Sequence, residues 1–164
     1  MIRREFWALQ GISDDELESS LSGLLGAGAR VEARIVAHLA EVEARRLHLL
    51  SGYSSLYDYC RKRLGLSDYE AFIRIAAARV ARKYPVVFEM LERRRLHLTA
   101  ICELRDFLTA ENHRDLFDAV SGKTKLQIRE VLAQRFPQPD APASLKNYPR
   151  SSHCLRDVTD CSSR

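Results

Sequence analysis

Residues 54–85 read SSLYDYCRKRLGLSDYEAFIRIAAARVARKYP, and this stretch decides the fold. Leu64-Gly65-Leu66-Ser67 separates two helical patterns, Ser55 to Leu64 and Asp68 to Tyr84. Ser67 with Glu70 has the capping-box spacing, in which the serine side chain and the glutamate satisfy each other's free backbone N–H groups. Pro85 stops the second pattern, because the residue before a proline is driven out of helical geometry. Helix, tight turn and helix in this order make a helix–turn–helix-like unit.

Charge collects in the same place. Between Arg61 and Arg95 ten basic residues face four acidic ones, an excess of six in a chain whose total is +4. Concentrated positive charge on helices points to a polyanion, and duplex DNA is the first partner expected. The expected nucleic-acid-binding residues are Arg61, Lys62, Arg74, Arg79, Arg82 and Lys83. Arg74 carries the bidentate fork suited to guanine, whereas Arg61, Lys62, Arg82 and Lys83 look like phosphate contacts. Two residues depart from the familiar DNA-reading motif: Arg61 stands where a small residue lets the helices approach, and Arg74 occupies a late apolar position. The triple Arg93-Arg94-Arg95 ends a helical pattern, where it also complements the helix dipole.

Working outward, helical periodicity runs through almost the whole chain and no period-2 strand emerges. The reading is an all-α domain of about seven helices over 1–136. A Pro-rich linker and a disordered tail follow over 137–164, with Pro137, Pro139 and Pro142 at its start. Ser13 and Glu16 open the first helix, and Gly23, Gly26 and Gly28 are expected to close it. A long helix from Ala29 to Leu50 follows, with Val31, Ile35, Leu39, Val42 and Leu47 as its inward stripe and Gly52 as its stop. In the helix after Ser67, Phe72, Ile73, Ala76, Ala77 and Val80 form the expected core face. Thr99, Thr109 and Thr124 are the expected caps of three later helices, the last with Gln127. Arg45-Arg46-Leu47-His48-Leu49 and Arg94-Arg95-Leu96-His97-Leu98 resemble one another as two copies of a short motif.

Composition excludes several classes. Hydrophobic residues are 46% and charged residues 29%, the balance of a globular protein. No apolar run is long enough to cross a bilayer, and the start lacks a secretory pattern, so the expected compartment is the cytoplasm. Cys60, Cys102, Cys154 and Cys161 are far apart and read as free thiols. His153, Cys154 and Cys161 make only a weak zinc set, and the five histidines are dispersed, so neither metal nor cofactor is expected. No phosphate-cradling loop or nucleophile elbow is present, and no catalytic residue or small-molecule substrate is assigned.

Between residue 29 and about 140 the chain resembles the N-terminal helical region of bacterial HNH endonuclease-like proteins of the myxobacterial type. The residues that carry this are Ile35-Val36-Ala37-His38-Leu39-Ala40-Glu41-Val42-Glu43-Ala44-Arg45-Arg46 and Ser54-Ser55-Leu56-Tyr57-Asp58-Tyr59-Cys60. Further matches are Leu66-Ser67, Ala76-Ala77-Ala78-Arg79, Leu96-His97-Leu98-Thr99, Leu108-Thr109-Ala110-Glu111-Asn112-His113 and Gly122-Lys123-Thr124-Lys125. The resemblance implies a helical domain that grips DNA for a separate C-terminal ββα-metal nuclease module. The histidines and asparagine of that module have no counterpart after Pro139, so no catalytic role carries over. The tail from about Ala143 departs from the family's continuation, as a frameshift or early stop before the nuclease module would produce. The expected function is therefore a non-catalytic DNA-binding domain, truncated before its nuclease. The alternative is a helical interaction or dimerisation scaffold, a possible homo-oligomer that binds no nucleic acid, and an intact nuclease with an unfamiliar site is the third reading.

Overall fold

The computed structural model describes residues 8–137, and the fold is all-α. A 3-10 turn (Ala8–Gly11) leads into α1 (Asp14–Ala44), followed by α2 (Leu47–Leu50) and α3 (Leu56–Asp58). A π-helical turn over Tyr59–Arg63 extends α3. Then come α4 (Asp68–Lys83), α5 (Val86–Glu92), α6 (Leu98–Leu104), α7 (His113–Val120) and α8 (Lys125–Arg135). Beyond Pro137, the Pro-rich stretch, the expected disordered tail, and His153, Cys154 and Cys161 lie outside the described residues. No described helix is long and apolar enough to cross a membrane.

The three capping boxes form as spaced in the sequence: Ser13 with Glu16, Ser67 with Glu70, and Thr124 with Gln127. The Ser67 amide donates to the Glu70 carboxylate at 2.9 Å. That bond, with the Ser67 hydroxyl, holds the Glu70 carboxyl below its ordinary range. Other caps differ from expectation. α6 starts at His97, whose Nδ1 accepts from the Ala100 amide at 3.1 Å, so Thr99 lies inside the helix. α7 starts at Asn112, and Thr109 instead exchanges two hydrogen bonds with Asn112 in the preceding turn.

The largest difference is in α1. Gly23, Gly26 and Gly28 do not end it; the helix runs unbroken from Asp14 to Ala44. An isolated glycine costs a helix interior only about 1 kcal/mol, and a glycine stop needs the left-handed conformation. That conformation is reached at Gly52, Gly65 and Gly122, each in a turn. α1 itself stops at Arg46, a non-glycine residue at φ 54°.

The inward stripe also shifts. Ala33, Val36, Leu39 and Ala40 are buried, while Val31, Ile35 and Leu47 are exposed. The partner explains the choice. α4 presents Ala71, Ala77, Ala78 and Ala81, all fully buried, and small residues on both helices let the backbones approach closely. Of the core face expected for α4, Ala76, Ala77 and Val80 are buried. Phe72 is half exposed beneath the guanidinium of Arg105, 5.5 Å from the ring centre.

α4 is thus the central helix, packed by α1, α5 and α6. Ile101, Leu104, Leu116, Phe117, Val120 and Ile128 close the core from α6, α7 and α8. Cys60 is buried and Cys102 half-buried, both as free thiols whose pKa is raised by burial. The two copies of the Arg-Arg-Leu-His-Leu motif are not equivalent structurally. Its second arginine (Arg46) is left-handed in one copy and its first (Arg94) in the other. His48 is buried, whereas His97 is an exposed cap.

Candidate nucleic-acid interface

The helix–turn–helix-like unit is present as α3, the π-helical turn, the Gly65 turn and α4. Its cations, however, face protein partners. Arg61 reaches across the turn, donating to the Leu66 carbonyl and pairing through Nε with Asp68 at 2.5 Å. It staples the turn shut. Lys62 pairs with Asp58 at 3.2 Å. Arg79 grips Glu43 of α1 with its guanidinium at 2.7 and 3.0 Å, and this bond raises the arginine pKa further. Arg82 donates to the Ala40 carbonyl at 3.3 Å.

Arg74, the residue expected to read guanine, is 14% exposed. Its Nε and Nη2 donate to the two Glu32 oxygens at 2.9 and 3.1 Å, a bidentate fork that ties α4 to α1. Glu70 adds a third contact at 3.4 Å. The early residues of α4 are engaged as well, since the Tyr57 hydroxyl donates to Asp68 at 2.7 Å and raises the tyrosine pKa. The exposed positions of α4 are Asp68, Tyr69, Phe72, Arg79, Arg82 and Lys83. Of the six expected residues, only Lys83 has no hydrogen-bond or ion-pair partner among the described residues.

Lys83 instead joins a surface that spacing alone did not reveal. The end of α4, α5 and α7 enclose an open groove of about 590 Å³ edged by Lys83, Arg93, Arg95 and Arg114. His113 stacks on Tyr84 at its floor, with ring centres 4.7 Å apart and planes 25° apart. The His113 Nδ1 donates to the Ala110 carbonyl at 2.8 Å. Arg95 also edges a second groove with Arg94 and Lys123, so the two grooves share this residue as a border. Six cations therefore border the two grooves, and the acids there are few. Glu89 is paired with Arg93 and Asp118 with Arg95, while Glu32 at the far margin is held by Arg74.

The corner is fixed from beneath. Arg94 takes a left-handed turn at φ 59°, which reverses the chain between α5 and α6. The Arg95 carbonyl accepts from the Gly122 amide at 2.9 Å. His97 Nε2 donates to the Lys123 carbonyl at 3.2 Å while its Nδ1 caps α6, so one tautomer satisfies both. Arg114 and Lys123 had no signal in the sequence, because 31 and 40 residues separate them from Lys83 and only the tertiary fold unites them.

Chemically this surface can hold anions. Among the described residues no group of three or more His, Cys, Asp or Glu side chains is placed to hold a metal ion. Comparison of the chain with known protein families, with curated proteins and with solved structures returns no match. The likeness to HNH endonuclease-like proteins therefore rests on the sequence motifs alone.

Proposed function

We propose that the chain is a non-catalytic helical domain that binds duplex DNA, as the helical half of an HNH endonuclease-like protein would. The observation that carries this reading is the set of cations edging two grooves that share Arg95: Lys83, Arg93 and Arg114 on one, Arg94 and Lys123 on the other. Cations spaced along two grooves suit successive phosphates, and the stacked His113–Tyr84 pair offers a flat floor. The proposed contact surface thus moves from the second helix of the helix–turn–helix to the α4–α5–α7 corner. The arginines of the original cluster hold the scaffold together.

Fluorescence anisotropy of the full chain on duplex DNA across a salt series tests this. The logarithm of the binding constant should fall linearly with log salt, at about −0.9 per phosphate neutralised. Lys83→Ala/Arg114→Ala/Lys123→Ala should reduce that slope by roughly 2.7, three phosphates' worth. Lys62→Ala serves as the control: it removes only an exposed ion pair with Asp58 and should leave the slope in place. No binding at low salt overturns the reading.

The second reading, an interaction or dimerisation scaffold, is favoured by a different observation: the first half of α1 carries leucines that are exposed among the described residues.

A further inference from the structure

Residues 14–25 of α1 are exposed at every position, and among the described residues no side chain from 17 to 31 bonds to another element. The leucines of this arm do not point at random. Leu17, Leu21, Leu24, Gly28, Val31, Ile35, His38 and Val42 follow one another at alternating intervals of four and three. That is the 3.5-residue period of a coiled-coil seam, held over more than three heptads and about 38 Å of helix. The seam lies to one side of the buried face made by Ala33, Val36 and Ala40, and of its residues only Val42 packs against the domain's own core.

Its two halves differ in shape. The N-terminal half is a bare leucine ridge, with Leu21 56% and Leu24 67% exposed. The C-terminal half is the wall of an apolar groove of about 460 Å³, bounded by Val31, Ile35, His38 and Val42 of α1 and by Tyr59 and Leu64 opposite. A ridge and a groove that match in chemistry occur on one straight helix, so the ridge cannot reach its own groove. It can reach a second copy's.

We propose that the chain forms a two-fold symmetric dimer in which the N-terminal arm of each α1 lies antiparallel in the groove of its partner. This goes beyond the DNA reading, does not depend on it, and gives the scaffold reading a definite occupant. Antiparallel alignment places Leu17 opposite Val42, Leu21 opposite His38 and Leu24 opposite Ile35 across the two chains. Gly28 then meets Val31 beside the two-fold axis. With no side chain on Gly28, the partner's Val31 can approach the backbone there, which gives that glycine a role.

Charge does not select the orientation: antiparallel packing sets Asp14 across from Arg45 but Glu16 across from Glu43 and Glu18 across from Glu41, so the register rests on the fit of ridge to groove. Area is sufficient. At roughly 180 Å² for a fully exposed large aliphatic residue, the seam with Leu25 and Leu64 presents on the order of 600 Å² per copy, near the ~800 Å² of a stable interface. An exposed apolar patch of that size signals a partner.

Sedimentation equilibrium on the full chain, with circular dichroism on each variant, tests the proposal. The unaltered chain should be dimeric at micromolar concentration. Leu24→Lys on the ridge and Ile35→Glu in the groove should each stay helical and weaken association by roughly 30-fold or more. Mixing the two variants provides the decisive result. In the antiparallel dimer the introduced lysine of one chain would face the introduced glutamate of the other, while the second Leu24–Ile35 contact stays native, so a mixed dimer should re-form. A monomeric unaltered chain overturns self-association. A dimer that ignores both changes, or that mixing does not restore, overturns the arm-in-groove geometry, and in either case the salt-dependent DNA titration stands separately.

Discussion

The two halves of α1 share one backbone helix but are stabilised in different ways. From Glu32 onward the helix is held by tertiary structure: a bidentate ion pair to Arg74, a second to Arg79, and Val36, Leu39 and Ala40 buried against α4 and α5. Before Glu32 it relies on a capping box, acidic residues in its first turn and intrinsic propensity, with three glycines working against it. An isolated helix of 18 residues with three glycines in it gains little stability from propensity alone. The difference shows that helix continuity and helix anchoring are separate properties. Continuity needs only that no residue breaks the backbone pattern, whereas anchoring needs a partner.

The sharpest break between the halves comes from removing a leucine on each side. Leu39→Ala empties a fully packed position and should cost about 3 kcal/mol, the usual range for a buried leucine. Leu21→Ala removes an exposed side chain and should change the monomer by no more than about 0.5 kcal/mol. Urea denaturation at concentrations low enough to keep the chain monomeric measures both. Equal losses would mean that the arm is packed within its own chain.

This contrast also bears on what is legible in the sequence. The capping boxes at Ser13, Ser67 and Thr124 are legible because both partners lie within one turn and no distant residue affects them. The end of α1 is not. Gly28 and Gly52 look alike on paper, and only the turn geometry after the helix makes Gly52 adopt φ 81°. The buried face escapes a reading by spacing because α1 carries more apolar residues than one face can bury. Val31 and Ile35 have the right spacing, but the alanine surface of α4 selects Ala33 and Val36. The basic character of positions 61–82 is plain in the sequence, yet the partners Glu32, Glu43 and Ala40 lie tens of residues away. The basic corner at Lys83, Arg114 and Lys123 is hidden for the same reason.

A smaller effect sharpens where anchoring begins. Arg74→Ala should destabilise the fold by about 2 kcal/mol, because it removes a largely buried bidentate pair and strands the Glu32 carboxylate. Arg79→Ala breaks a pair whose arginine is mostly exposed and should cost about 0.5 kcal/mol. A double-mutant cycle of Arg74→Ala with Glu32→Ala isolates the contact. If the coupling in that cycle is no larger than for Arg79 with Glu43, the junction at Glu32 is not what fixes α1 to the domain.

The smallest effect addresses the arm alone. Gly23 lies off the seam, and a Cβ built there meets nothing within 4 Å. Gly23→Ala should therefore raise helicity without touching either the domain or the proposed dimer contact. Host–guest propensities put the gain at up to about 1 kcal/mol of local stability. Because the arm makes no tertiary bonds in the monomer, that gain should appear in hydrogen exchange of residues 17–25 and barely move the global unfolding midpoint. In a dimer the same arm is part of the cooperative unit, so the midpoint should rise with protein concentration and the substitution should raise it further. Slower exchange confined to the arm at low concentration, spreading to a global shift at high concentration, would tie its order to a second copy. A global shift at every concentration would place the arm inside the monomer's own cooperative unit and remove the distinction between the two halves.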